Sequence, residues 1–284
     1  MKILPQGAMK SLERDGYLPG VPVLSPAEVG RYRAALERFE GNYPQHVKKL
    51  TSDSHAFCPW VVDMASSPGM LDYFGDLYGQ DLLLRNMAWR IKANDGETFA
   101  GWHQDHIYLG EMSPRLMLGI LALSECNAEA GCLKVVPGSH KWDALPHQDF
   151  EDPTSLLARG QQISTDFDKS NVVDLVLRPG EMALIDTQIV HGSAPNLSDD
   201  RRLMILVSML PTHAHRTDGG RETAMLIRGQ DTYGNFDPVP RPEAECTEEG
   251  FRHWKGAASL RGKQIFAGSA LRPGEGYGGE RANP

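Results

Sequence analysis

The chain has 284 residues, 40% of them apolar and 23% charged, with a formal net charge of −8 at pH 7. That length suits one large domain; no run of about eighteen apolar residues is present and no apolar signal core follows Met1-Lys2-Ile3, so a cytoplasmic protein without membrane spans is expected. The four cysteines, Cys58, Cys126, Cys132 and Cys246, form no Cys-x-x-Cys pair, and no basic patch is interleaved with aromatics, which predicts free thiols and argues against a zinc knuckle, a disulfide framework or a nucleic-acid partner.

The N-terminal region, residues 1–80, reads as helical. Ser25-Pro26-Ala27-Glu28 places an N-cap serine, a first-turn proline and a capping-box glutamate in order. A helix should follow to Phe39, with Val29, Tyr32, Leu36 and Phe39 on one side and Gly41 as its stop. Ser67-Pro68 announces a second helix to Tyr78, ended by Gly79, with Met70, Leu71, Phe74 and Leu77 as its apolar stripe. From Leu82 the period becomes strand-like. Strands are predicted over 82–92 and from Trp102 to Tyr108, and then as a hairpin of 116–123 with 132–136. The polar stretch 141–171 carries little strand pattern and reads as a lid over a site. Further strands are expected over 172–177, 182–186, a short segment at His191, and 202–210. Strands with this turn punctuation, preceded by helices, predict a mainly β protein whose core, residues 81–211, is a double-stranded β-helix (a cupin-like jelly roll) with helices on its outside. Residues 212–284 form an extension, with a helix over 247–260 and a flexible, glycine-rich tail from Arg272. The whole chain is expected to be a single domain.

Chemistry concentrates at Trp102-His103-Gln104-Asp105-His106 and at His191. In an extended strand, residues two apart point to one face, so His103 and Asp105 can bind one ion together, with His191 as a remote third ligand. Two histidines and one carboxylate with open positions opposite are the ligand set of non-haem Fe(II) oxygenases. A hairpin after His191 would bring Arg202 to the same cavity, and a guanidinium facing a metal site wants a carboxylate, which a co-substrate acid provides. Arg201 is its rival, separated only by strand direction.

Trp102-His103-Gln104-Asp105, Gly131-Cys132-Leu133-x-Val135-x-Pro137-Gly138-Ser139-His140 and His191-Gly192-Ser193-x-x-Asn196 with Arg202 resemble the phytanoyl-CoA dioxygenase family of Fe(II)/2-oxoglutarate oxygenases, over roughly 24–210. The resemblance implies a double-stranded β-helix, Fe(II) held by His103, Asp105 and His191, 2-oxoglutarate and O₂ as co-substrates, and Arg202 on the distal carboxylate. It also puts Asn86 on the 2-oxoglutarate. The implied reaction oxidises an unactivated C–H of a small metabolite or natural-product intermediate, with release of succinate and CO₂. Related halogenases carry Ala or Gly where this chain has Asp105, so hydroxylation is expected and chlorination is not. A cupin-like hydrolase or isomerase using the same ligands, and a metabolite-binding barrel without turnover, are the alternatives.

Other residues have plainer readings beside functional ones. His106 should face away from Asp105, and His140 reads as a structural hydrogen-bonding residue. His213 and His215 read as a solvated loop. Trp89, Tyr108, Arg228 and Tyr233 are the candidates for contacts with the substrate; core packing for the first two and salt-bridged surface for the last two are the alternatives.

Overall fold

The computed structural model of the chain describes residues 3–277. The N-terminal part holds α1 (Ala8–Asp15), β1 (Tyr17–Pro22), α2 (Pro26–Asn42), α3 (Pro59–Ala65) and α4 (Pro68–Tyr78). The capping box opening α2 is closed in both directions, Ser25 N donating to the Glu28 carboxylate at 2.8 Å and Glu28 N to Ser25 Oγ at 3.3 Å. The helix runs past the predicted stop at Gly41. A glycine ends a helix where the chain turns left-handed, and here the cap is Tyr43 at φ −132°. α4 ends at Gly79, with φ 93°, as its sequence predicts.

The core strands are β2 (Leu82–Lys92), β3 (Ala100–His103), β4 (Met117–Ala122), β5 (Leu133–Val135), β6 (Val173–Leu175), β7 (Glu181–Asp186), β8 (His191–Ser193), β9 (Arg202–Pro211) and β10 (Thr223–Arg228). One sheet runs β1-β7-β4-β9-β2-β10, with the short strand Asp237–Pro238 at its edge; facing it is a sheet of order β3-β8-β5-β6. These two sheets form the jelly-roll core. In the large sheet, alternation separates two environments. Leu203, Ile205, Val207 and Met209 of β9 pack outward on the helices, together with Met87 and Trp89 of β2. Met204 and Leu206 point inward with the opposite sheet's Leu133 and Val135. No helix among the described residues is long and apolar enough to cross a membrane.

Three strand expectations are corrected. The hairpin of 116–123 with 132–136 does not form: β4 has both edges occupied, by β7 and β9, so β5 pairs instead with β8 and β6 in the other sheet. For the same reason His191 and Arg202 are not hairpin neighbours. β8 is flanked by β3 and β5, whereas β9 pairs with β2 and β4, and the two residues face each other across the barrel. The strand predicted over 102–108 stops at His103. Tyr108 N and Leu109 N both donate to Asp105 O at 2.9 Å, which winds the chain into the one-turn helix α5 (His106–Leu109).

The C-terminal extension carries α6 (Glu248–Ile265), capped by Thr247 Oγ1, which accepts from Gly250 N at 3.0 Å. The tail is ordered further than its composition predicts, because Glu275–Tyr277 forms a 3₁₀ turn and the Tyr277 ring meets Phe266 at 6.3 Å between centroids. The remainder of the expected flexible tail, 278–284, lies outside the described residues.

Candidate active site

His103 ends β3 and His191 begins β8, and these residues are direct register partners, so their rings lie side by side with centroids 4.1 Å apart. Asp105 is not on the strand face as the sequence pattern suggested. Its backbone is helical (φ −71°, ψ −33°), and that turn swings its carboxylate back over the two rings. One oxygen sits 3.4 Å from His103 Nε2 and the other 3.6 Å from His191 Nε2. Each ring is fixed from behind: His103 Nδ1 meets Gly101 O at 2.8 Å and His191 Nδ1 meets Ile189 O at 2.9 Å. A carbonyl accepts only, so both Nδ1 atoms carry the proton and both Nε2 lone pairs point at the carboxylate side. Among the described residues this is the one group of three side chains able to hold a metal ion, its donor atoms all within 4.8 Å of one another.

Electrostatics favour the ligand forms. Burial raises the Asp105 carboxyl, but the facing His191 and His103 outweigh it and hold it at about 2. Burial, with His103 adding to it, brings His191 down to about 4 against the pull of Asp105. A carboxylate and a neutral imidazole are the protonation states that bind a metal. The donor set therefore fits Fe(II), with oxygen and nitrogen ligands on one side only.

Across the barrel, Arg202 is fully buried at the start of β9, in register with Lys92. Arg202 Nη1 donates to Gly131 O at 2.6 Å and Nη2 to Arg90 O at 3.3 Å, while Nε makes no hydrogen bond among the described residues. Lys92 Nζ donates to Ser193 Oγ at 2.8 Å and to the Ala194 carbonyl. Burial, reinforced by Arg202, presses Lys92 down to about 7, and burial lowers Arg202 to about 10. No carboxylate pairs with either cation among the described residues, and a buried cation without an anion is costly unless a ligand brings one. Arg201 resolves as the surface member of the pair, gripping Glu40 with both Nη atoms at 2.8 Å.

One cavity joins the triad to Arg202. The 141–171 segment contributes Leu156, Leu157, Ala158 and Gln161 to its wall; within it Arg159 pairs with Asp149, and Arg159 ties the segment to Ile265 O of α6 at 2.8 Å. Tyr108 lines the cavity. Trp89 does not: it faces the helices and packs on Trp60, with ring centroids 5.6 Å apart, because it alternates out of phase with the cavity-facing Arg90. Arg228 is also elsewhere, its guanidinium donating to Leu71 O, Gly79 O and Gln80 O at the end of α4. Tyr233 is 60% exposed, and its ring meets His213 edge-on. Asn86 lines the cavity, but it pairs in register with Ser208, six residues up β9 from Arg202. It therefore stands at the other end from the cation expected to hold the distal carboxylate. His140 is a structural residue, its Nε2 at 3.1 Å from Glu13 O, and His106 opens on a separate surface hollow beside Glu111 and Arg115.

Arg90, Ser193, Ser208, Arg261, Ile265 and Tyr277 also face the cavity, and the sequence reading passed over their roles. The period of β2 and β9 held a signal for some of them. Asn86, Arg90 and Lys92 share parity on one strand, as do Arg202 and Ser208 on its neighbour, and polar residues repeating every second position in a buried strand mark a lined interior. Nothing comparable marks Arg261 and Tyr277, which arrive from the far end of the chain.

Comparison with known proteins agrees with this geometry. The sequence profile of the phytanoyl-CoA dioxygenase (PhyH) family matches residues 12–204. The dioxygenase cdmD of Talaromyces verruculosus is 26% identical over 187 residues, covering 62% of this chain and 55% of that protein. The first two curated relatives are spanned over 55% and 64% of their own lengths. Among solved structures, the non-haem monooxygenase ThoJ in its apo form superimposes with a TM-score of 0.78 at 26% identity, over 90% of this chain and 96% of that one. CytC3, solved with Fe(II) and alpha-ketoglutarate, shares the fold at 18% identity and a TM-score of 0.60, over 84% of this chain and the whole of that one.

Proposed function

Because the chain belongs to the phytanoyl-CoA dioxygenase family, we propose that it is an Fe(II)/2-oxoglutarate-dependent dioxygenase that hydroxylates, or otherwise oxidises, an unactivated C–H of a small metabolite or natural-product intermediate, releasing succinate and CO₂. The observation that carries the reading is the pairing, in one cavity, of a one-sided His103-Asp105-His191 donor set with the acid-free cation Arg202. His103, Asp105 and His191 would hold the iron, and bound Fe(II) would supply O₂ activation coupled to decarboxylation of 2-oxoglutarate.

The chain's own residues do the rest. The Gly101 and Ile189 carbonyls hold both imidazoles in the tautomer that offers Nε2, as outer partners of a metal site do. Arg202 offers its unpartnered Nε and its fork to a distal carboxylate, and Arg90, next along the cavity, adds positive field between that point and Asp105. Asp105 would hold the metal as a carboxylate ligand, which favours oxygen transfer over halogenation. Leu156, Leu157 and Ile265 shield the site from water, protecting a reactive oxidant and strengthening the charges within. A hydrolase or isomerase with the same ligands has no use for a buried cation awaiting a carboxylate.

Anaerobic addition of Fe(II) and 2-oxoglutarate should give the weak visible charge-transfer band of the chelate, and His103→Ala should lose both the band and stoichiometric iron. If wild type shows no band and His103→Ala binds as much metal as wild type, the reading fails.

A further inference from the structure

The cavity has a second polar end. β9 turns Arg202, Met204, Leu206 and Ser208 to the interior in succession, and at about 3.3 Å per residue Ser208 stands roughly 20 Å along the strand from Arg202. A five-carbon diacid held by Arg202 and the metal ligands does not reach it. A bulge marks the place: the register steps from Ser208↔Asn86 to Met209↔Leu84, so Arg85 is the extra residue, and Arg85 and Asn86 both line the cavity in spite of being consecutive.

Hydrogen-bond donors gather there without acceptors. Ser208 is 2% exposed and its Oγ has no hydrogen-bond partner among the described residues; Arg261, 5% exposed, makes no hydrogen bond from Nη1 among them, that atom facing Glu222 Oε2 at 3.6 Å. Asn86 spends its Oδ1 on Asp53 N at 2.8 Å, and its amide nitrogen has no acceptor among the described residues. Behind these donors lies a charge cluster. Arg261 grips Asp53 at 2.8 and 3.1 Å, Arg85 grips Glu222 at 2.7 and 2.9 Å, and Arg216 reaches Glu222 at 2.8 Å. Three guanidiniums thus share three carboxylates, Asp53, Glu222 and the 58% exposed Asp218. Buried guanidiniums beside unsatisfied donors favour an incoming anion. Between this end and the triad the wall is apolar, with Leu109, Leu118, Leu157, Leu206 and Ile265. Ser208, Arg261, Ile265 and Tyr277 lie beyond the family match at residues 12–204, and Arg85 and Asn86 within it.

We infer that Asn86, Ser208 and Arg261 anchor a carboxylate of the prime substrate, leaving an apolar body to lie along the cavity with its far end over the metal ligands. The substrate class is therefore a carboxylic acid oxidised remote from its acid group. This rests on the oxygenase reading above. Arg261→Ala would strand the buried Asp53, so two gentler substitutions test the idea. Asn86→Asp keeps an oxygen towards Asp53 N and turns the donor into an acceptor; Ser208→Ala removes a hydroxyl that makes no hydrogen bond among the described residues. Calorimetric titration of the anaerobic Fe(II)·2-oxoglutarate protein with octanoate and 3-phenylpropanoate, each against its primary amide, should show the acid preferred. The preference should drop on the order of tenfold to a hundredfold in Asn86→Asp and about tenfold in Ser208→Ala, the loss expected for hydrogen bonds to a charged group. The 2-oxoglutarate band should persist in both variants. Absence of the band in wild type would sink the oxygenase reading. With the band present, no preference for either acid, or an unchanged preference in both variants, overturns the inference.

Discussion

Replacing Arg202 by Met separates what the guanidinium does for the fold from what it does for the co-substrate. Methionine is unbranched and fills a similar path without charge. In the ligand-free protein the substitution removes two hydrogen bonds, to Gly131 O at 2.6 Å and Arg90 O at 3.3 Å, each contributing about 1–3 kcal/mol. Gly131 O still faces Lys92 Nζ at 3.4 Å, so one of the two carbonyls keeps a donor. Against this loss stands relief of cation crowding: Lys92 is pressed from 10.5 to about 7 by burial and by Arg202, and each unit regained is worth about 1.4 kcal/mol. The opposing terms are of similar size, so stability of the ligand-free variant should fall within about 2 kcal/mol of wild type. For 2-oxoglutarate nothing offsets the loss. Two charge-assisted bonds at roughly 1.5–3 kcal/mol each weaken binding by on the order of a hundredfold to ten-thousandfold. Chemical denaturation of the ligand-free protein and anaerobic titration of the charge-transfer band measure the two quantities on one sample. Wild-type affinity for 2-oxoglutarate in Arg202→Met, or equal losses for 2-oxoglutarate and for the prime substrate, would refute the assignment.

Glu222→Gln should destabilise the protein by about 3–5 kcal/mol, because it leaves Arg85 buried without its carboxylate; a loss under about 1 kcal/mol in urea denaturation would show that the cluster is solvated. His55 gives a pH prediction. It is buried, and burial, with Arg261 adding to it, lowers its pKa from 6.5 to about 4 against the pull of Asp53. As pH falls below 6.5 the unfolded chain takes up the proton first, so stability is full above 6.5 and drains away down to about 4, by roughly 3 kcal/mol for this group. His191 contributes a similar slope, so the comparison must be between wild type and His55→Gln. The variant should lose less stability between pH 7 and 4.5, and identical slopes would contradict the account.

Much of the barrel was legible because burial on both sides of a strand leaves a continuous apolar run, as in 116–123 and 203–207. Pairing was not. The strands at 116–123 and 132–136 are neighbours in sequence with a turn between them, which is the signature of a hairpin, yet β4 already has β7 and β9 on its two edges. Edge occupancy is a property of the whole sheet, and no local pattern encodes it. The same limit hid β1, whose strand Tyr17–Pro22 contains Pro19 and Gly20 and is held in place by β7.

The site shows a different kind of legibility. His103, Asp105 and His191 converge as their residue types suggested, although the geometric reason was wrong. An extended strand would have aimed His103 and Asp105 to one side, whereas the chain turns helical at Asp105 and reaches the same point through the rotation of α5. The spacing His-x-Asp is therefore compatible with two backbone paths, and the ligand set constrains the chemistry without fixing the strand boundary. Residues that bind one ion must meet at a point, so few arrangements suit them. Residues that line a long cavity need only share a face, and so Arg261 and Tyr277 could enter from a C-terminal helix and turn with no motif to announce them. His103, Asp105, His191 and Arg202 lie within the residues that the family profile matches, whereas Ser208, Arg261 and Ile265, which also line the cavity, lie outside it.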